Sequence, residues 1–440
     1  MGNRSFYDWD QLIQSDRVHR EIYTNPEIFE LELERIYESN WVYIGHASQA
    51  PARGDYFTTE IGRQPVVMVR HADDIIRVIH NRCPHKGAEV VPPGCGNSKG
   101  FRCSYHGWRF DTDGALLAIP MREGYEGTSL CPSDTKTTSM QTIKHVANYR
   151  GFIFASLTKP KVDFDTWIRG VSGSIDNMID RSPEGEMEIV RGSFRYLMNC
   201  NWKFHVENLN DLMHPMVAHQ SASQAGKMVS KQNFDNDSEL PSALEVISPF
   251  TNKYSFFDEM GISVFENGHS YSGGKVSIHS DYSDVPGYRE KMERSYGKQR
   301  VNDIFSENRH NTVVYPNLTI KGAIQTIRVC RPLAVDRTLV ESYVFRLKGA
   351  PEQLLHRSIQ YSNLVNSSGG LVQVDDHECY RRLQSGLHSK GLEWVNMQRY
   401  MGQDMEGDGY GSRAIGTSDA AFRNQYQAWK KCMSDEEAHI

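Results

Sequence analysis

Asn81-Arg-Cys83-Pro-His85-Lys-Gly87 and Cys103-Ser-Tyr-His106-Gly-Trp108 are the two stretches that decide how this sequence is read. Each brings one thiol and one imidazole close together, and seventeen residues separate His85 from Cys103. Two thiolates and two imidazoles on separate loops can hold a tetrahedral zinc, or a 2Fe-2S cluster in which Cys serves one iron and His the other. A zinc finger groups its cysteines in one arm and its histidines in the other. Here each arm carries one of each, which favours the cluster. Gly87 and Gly107 follow the histidines, where backbone must turn closely and present N–H groups to sulfur, while Tyr105, Trp108 and Phe110 are candidates to shield the site from water.

Outward from these loops, residues 41 to 157 run in short β-branched and aromatic segments punctuated by Gly, Pro and Asp, as in QPVVMVRH and YRGFIFASL. This predicts a small all-β domain over residues 41–160. Before it, apolar residues at helical intervals over 26–40 predict an amphipathic helix, within an N-terminal segment 1–40 expected to pack with the second domain. Beyond it, helical patterns near 164–181, 202–213, 351–365 and 376–388 alternate with strand-like runs at 309–320, 323–331 and 338–348. The fold class is therefore α+β. A second domain spanning 161–440 should hold an antiparallel sheet with helices on one side.

The 440 residues, 39% of them hydrophobic, suffice for two or three domains with their own cores, and a net charge of −6 with no long run of one sign gives no warrant for nucleic acid or anionic membrane as partner. No apolar run reaches membrane-helix length and the start lacks signal-peptide order, so a cytoplasmic location is expected, without a membrane. In that reducing compartment the eight cysteines should be metal ligands or buried thiols.

A second constellation lies at Asn201-Trp-Lys-Phe-His205-Val-Glu207-Asn208-Leu-Asn-Asp211-Leu-Met-His214-Pro215-Met-Val-Ala-His219. On one continuous helix Glu207, Asp211 and His214 would share a face and could share a buried site. His214 and His219, five apart, would diverge by about 140° on such a helix, and Pro215 offers the break that lets both reach one ion. Two imidazoles and one carboxylate leave room on iron for dioxygen and substrate, so a third ligand is required. Asp375 and Asp376 are candidates, although a helix-capping pair looks the same. Leu209, Leu212, Met213, Val217 and Ala218 could line a pocket or form a core stripe, the second reading being the commoner. No G-x-G-x-x-G unit is present, so a nicotinamide donor should bind elsewhere.

CPHKG and CSYHGW closely resemble the Rieske boxes of aromatic-ring-hydroxylating oxygenases, and residues 208–219 resemble the family's N-x2-D-x2-H-x4-H pattern. The resemblance implies Cys83, His85, Cys103 and His106 as cluster ligands. It implies His214, His219 and Asp376, the second acid of its pair, as ligands of a mononuclear Fe(II). The respiratory Rieske proteins carry disulfide cysteines where Ala88 and Tyr105 stand here, so the resemblance implies the lower-potential oxygenase or ferredoxin type. His205 and His377 do not match ligand positions. The catalytic domain is implied to be of the helix-grip, START-like kind.

The same resemblance implies the large (α) subunit of a terminal oxygenase. It would use dioxygen, with electrons from NADH through a separate reductase and in some systems a ferredoxin, to cis-dihydroxylate an aromatic compound. A Rieske monooxygenase or O-/N-demethylase using the same metals is the other reading. The family also implies a trimer of α subunits, with or without a small β subunit. In it Asp211 would bridge His106 of one subunit and His214 of the next, with Asn208 beside it in the catalytic machinery. Arg328 falls in a region that lines the cavity of related oxygenases and could pair with a substrate carboxylate; a surface arginine on a sheet is the commoner reading.

Overall fold

The protein is described by a computed structural model covering residues 7–130, 133–233, 242–247, 250, 252–278, 284–403, 405–406 and 410–434. The chain divides into two compact units, Leu33–Phe164, and Asp165–Ile440 together with Met1–Glu32. All strand pairs in both units are antiparallel among the described residues. Each fold therefore permits short hairpin connections and one solvated face. No helix of the described residues is long and apolar enough to cross a membrane.

The smaller unit is built from three small sheets. Gln64–Arg70 lies at the centre of one, between Asp55–Ile61 and Ile76–His80, and its apolar residues Val67 and Val69 face a core shared with Ile79, Phe101, Trp108 and Phe110. The two thiol-bearing loops sit on this core: the first leaves Ile76–His80, and the second joins Phe101–Arg102 to Arg109–Phe110. Both Cys83 and Cys103 belong to the buried cluster itself. Asn81, also buried, pins the chain beyond the first loop, its Oδ1 accepting from the N–H groups of Val90 (3.0 Å) and Val91 (2.9 Å) and its Nδ2 donating to the Val91 carbonyl (2.7 Å).

The larger unit is organised by a sheet in which Arg337–Leu347, Thr326–Ala334, Leu318–Lys321, Asn308–Val314, Ser270–Gly274 and Ile262–Phe265 follow one another. The expected run 309–320 is divided by a turn over Tyr315–Asn317, where Pro316 has no N–H for the ladder. Thr319 stands opposite Arg328 and Lys321 opposite Thr326, so these four side chains project from one face. The helices Trp202–Leu209 and Gln373–Gly386 carry Asn208 and the Asp375–Asp376 pair. Asn201 caps the first, its side chain accepting from the Lys203 N–H (3.1 Å). Glu32 anchors the N-terminal segment to this helix: its carboxylate pairs with the buried Lys203 ammonium and accepts from the indoles of Trp202 (2.8 Å) and Trp429 (2.7 Å).

The helix expected over 202–213 stops at Leu209, where Asn210 leaves helical geometry at φ −120° and ψ 20°. The single face that was to join Glu207, Asp211 and His214 therefore does not form. Glu207 turns away and accepts hydrogen bonds from Tyr23 (3.0 Å) and Tyr426. The Asn-Leu-Asn-Asp run explains the stop, since Asn and Asp hydrogen-bond local backbone and favour turns over helix interiors.

Candidate functional site

The two thiol loops share one backbone design. In each, the N–H four residues after the cysteine returns to its carbonyl, Gly87 to Cys83 at 2.9 Å and Gly107 to Cys103 at 3.0 Å. Each cysteine N–H in turn donates to the carbonyl five residues on, Ala88 or Trp108, both at 2.8 Å. The glycines close these turns at φ +81° and +74°, a region that costs a side chain roughly 1–2 kcal/mol. The repeat is set by the cysteines, so His85 and His106 fall at different steps of the same turn. That accounts for the unequal C-x-H and C-x2-H spacings.

Cys83 and Cys103 are buried free thiols in mutual hydrogen-bond contact. Burial pushes the Cys83 thiol up, and backbone N–H groups of His85 and Lys86 pull it back. The His85 ring stacks on Trp108 at 5.1 Å and meets His106 edge-on at 4.6 Å. Its Nε2 is 3.1 Å from the Tyr125 hydroxyl, whereas its buried Nδ1 has no hydrogen-bond partner. Two adjacent thiols, two converging imidazoles and a partnerless buried ring nitrogen fit a 2Fe-2S cluster with two ligands per iron. Trp108 and Phe110 shield the site, but Tyr105 is 67% exposed against the exposed His106, so it does not. Tyr125 escaped the sequence reading because it lies outside both stretches, and nothing local to the sequence marks the pinning role of Asn81, two residues before Cys83.

The second centre forms where the chain bends after Leu209. Asp211 Oδ1 accepts from the Met213 N–H (2.9 Å), closing the turn that delivers His214 to the start of the short helix Pro215–Ala218. His219 comes directly after that helix, so His214 and His219 flank it and their rings meet at 5.5 Å. Asp376, in the first turn of Gln373–Gly386, completes the group: its Oδ1 is 3.6 Å from His214 Nε2 and 3.4 Å from His219 Nε2. The Asn208 amide nitrogen reaches both His214 Nε2 (3.1 Å) and Asp376 Oδ1 (3.2 Å). One ligand atom from each of His214, His219 and Asp376 lies within 4.8 Å of the others. Two imidazole nitrogens and one carboxylate at this separation fit a mononuclear iron with open positions.

The outer edges of the rings are also addressed. His219 Nδ1 is 3.2 Å from Asp375 Oδ2, and His214 Nδ1 faces Asp211 Oδ2 at 3.8 Å. The Asp375 contact fixes the His219 tautomer that leaves Nε2 free to bind metal, whereas the Asp211–His214 approach is too long for a hydrogen bond. Burial pushes His219 down from its ordinary value, and Asp376 pulls it back up. The acidic pair does not cap its helix, whose first residue is preceded by Val372 with no side-chain cap. His205 is fully buried beside Tyr380, with neither ring nitrogen hydrogen-bonded, and burial drives its pKa well down. Arg399 was not anticipated: it binds Asp419 at 2.6 Å and approaches Asp211 at 3.9 Å.

His214, His219 and Asp376 line one cavity. Asn208, Leu209, Leu212, Phe250, Ile278 and Val365 contribute to its wall. Of the apolar residues near the ligand segment, Leu209 and Leu212 thus line the cavity, while Val217 is exposed. Arg328 is a lining residue too, only 6% exposed, which overturns its reading as a surface arginine.

A fold with one thiolate-imidazole cluster site and one two-histidine, one-carboxylate site defines a two-centre iron oxidoreductase. The Rieske 2Fe-2S domain family matches residues 40–139, and the ring hydroxylating alpha subunit (catalytic domain) family matches residues 186–435. The toluate 1,2-dioxygenase subunit alpha of Pseudomonas putida is 30% identical, the match covering 96% of this chain and 94% of that one. The 2-halobenzoate 1,2-dioxygenase large subunit of Burkholderia cepacia is also 30% identical, over 96% and 90%. A naphthalene 1,2-dioxygenase with indole bound shares the fold at a TM-score of 0.80 and 23% identity, over 99% and 95% of the two chains. The chain belongs to the ring-hydroxylating dioxygenase alpha-subunit family, Rieske non-haem iron enzymes that carry a 2Fe-2S cluster and a mononuclear iron.

Proposed function

We propose that this chain is the large subunit of a terminal oxygenase that cis-dihydroxylates an aromatic compound, with electrons drawn from NADH through a separate reductase or ferredoxin. The observation that carries the reading is the convergence of His214, His219 and Asp376 on one cavity whose wall joins apolar residues such as Leu209, Leu212 and Phe250 to polar and charged ones. When bound, the mononuclear iron supplies dioxygen activation and the cluster supplies electrons singly. The chain's own part is to hold and to orient. Cys83, His85, Cys103 and His106 would hold the cluster, and His214, His219 and Asp376 the iron. Asp375 keeps the His219 ring in register, Asp211 closes the turn that delivers His214, Asn208 donates beside them, and Leu209, Leu212 and Phe250 exclude water from the substrate face.

Residues 33–164 would serve as the electron-accepting domain and the remainder as the oxidising one. We place the enzyme in the cytoplasm, a reducing compartment in which the buried Cys83 and Cys103 thiols would stay available as ligands. A head-to-tail α trimer, alone or with a small β subunit, would let the exposed His106 of one subunit approach Asp211 of the next.

The test is reconstitution with iron, a reductase and NADH, and then product analysis over aromatic acids, hydrocarbons and methyl ethers. Vicinal cis-diols support the reading, whereas phenols or demethylated products alone would replace it with monooxygenation. In the same system Asp211→Ala should keep both metals and lose NADH-coupled product formation; full coupling would remove Asp211 from the electron path.

A further inference from the structure

Lys321 and Arg328 are 7% and 6% exposed, and both line the cavity that holds His214, His219 and Asp376. They come from adjacent strands and project from the same sheet face, diagonally across the register pair Lys321–Thr326. Neither forms an ion pair with a carboxylate among the described residues. Lys321 donates to the Tyr361 hydroxyl (2.7 Å), which uses one of its three protons, and Arg328 meets the Tyr196 hydroxyl. Buried cations elsewhere are answered: Lys203 pairs with Glu32, and Arg181 donates to the Glu307 carbonyl (2.7 Å) and to Asn308 (3.1 Å). A buried charge without an opposite partner is costly. The carboxylate whose charge reaches Lys321 is that of Asp376, which the metal site claims.

We propose that Lys321 and Arg328 form an anion-binding subsite of the substrate cavity, and that the substrate is an aromatic ring bearing a carboxylate or sulfonate. The cations would grip the anionic group, and Leu209, Leu212, Phe250 and Ile278 would enclose the ring beside the iron-binding residues. Burial, and next the Arg328 charge, drive the Lys321 ammonium well down from its ordinary value; an anion between the two offsets both effects. The site therefore favours ligands that bring the missing negative charge.

This inference rests on the aromatic-oxygenase reading, and its test separates the two. Equilibrium binding to the metal-loaded enzyme without oxygen compares benzoate, salicylate, 2-naphthoate and benzenesulfonate with their neutral amides. At least one acid should bind about tenfold or more tightly than its amide. Lys321→Met and Arg328→Met should each remove that preference and leave amide binding within about twofold. Lys321→Met should also melt no lower than the native protein, because it removes an amine whose burial beside Arg328 is costly whether it is charged or driven neutral; a purely structural lysine would lower the melting temperature instead. Acids and amides binding alike, or variants weakening both equally, would overturn the subsite. Preserved acid preference with no hydroxylated product from any compound would instead overturn the oxygenase reading. The carboxylate and sulfonate arms identify which anion is accepted.

Discussion

The two metal centres solve opposite problems. The cluster site is local: two copies of one glycine-closed turn, twenty residues apart from Cys83 to Cys103, with His106 and Tyr105 exposed at its rim. The iron site is assembled from segments more than 150 residues apart in sequence, and its ligands are braced by the half-buried Asp375 and lie in a cavity wall. A centre that only passes electrons benefits from a rigid frame with one exposed edge. A centre that performs chemistry needs enclosure and a shell that fixes each ring, which sequence-local turns cannot supply.

The sharpest way to break this contrast is to strip each centre separately. Cys83→Ser should abolish the cluster's visible and EPR signature while mononuclear iron stays; Asp376→Ala should do the reverse. Either should lower NADH-dependent product formation about a thousandfold or more. Loss of both metals from one substitution would show that the centres are not independent. Next in size, Asp375→Asn should weaken iron binding roughly 10–100-fold in a chelator competition, with the cluster spectrum unchanged.

Glu207 sharpens the contrast at the level of stability. Burial raises its pKa to about 7, although Tyr426 and Tyr23 donate to it. Because the folded value lies above the unfolded one, its contribution is complete below about pH 4.5 and is lost as pH rises through about 7, on the order of 3 kcal/mol. Glu207→Gln should therefore flatten the melting-temperature profile over that interval, and an unchanged profile would refute the assignment. The smallest effect is at the cluster loops: Gly107→Ala should cost roughly 1–2 kcal/mol in chemical denaturation. Gly124→Ala, with open space around its Cβ, should cost little by comparison.

The same division decides which features the sequence reveals. The cluster ligands are legible because their signal is contiguous, and the β texture around them comes from alternation and turn residues. The histidines of the iron site are legible too, but Asp376 can be told from a helix cap only through family resemblance. The misplacement of Glu207 comes from extending one helical period through Asn210 and Asp211, residues whose side chains favour a turn. Lys321, Arg399, Asn81 and Tyr125 carry no local signal, since sheet register and tertiary packing give them their surroundings.

Asp375 and Asp376 address opposite edges of one imidazole, Asp375 at Nδ1 and Asp376 at Nε2 of His219. Adding or deleting one residue within the first turn of Gln373–Gly386 would rotate the remainder of the helix by about 100° and displace Asp376 from its ligand position. The constraint on this helix is thus one of phase as well as of residue identity. Stretches that carry none of the metal-binding residues are under no such constraint and can change in length. Evolution could therefore reshape the cavity wall and exchange the oxidised molecule while leaving the iron-binding geometry intact.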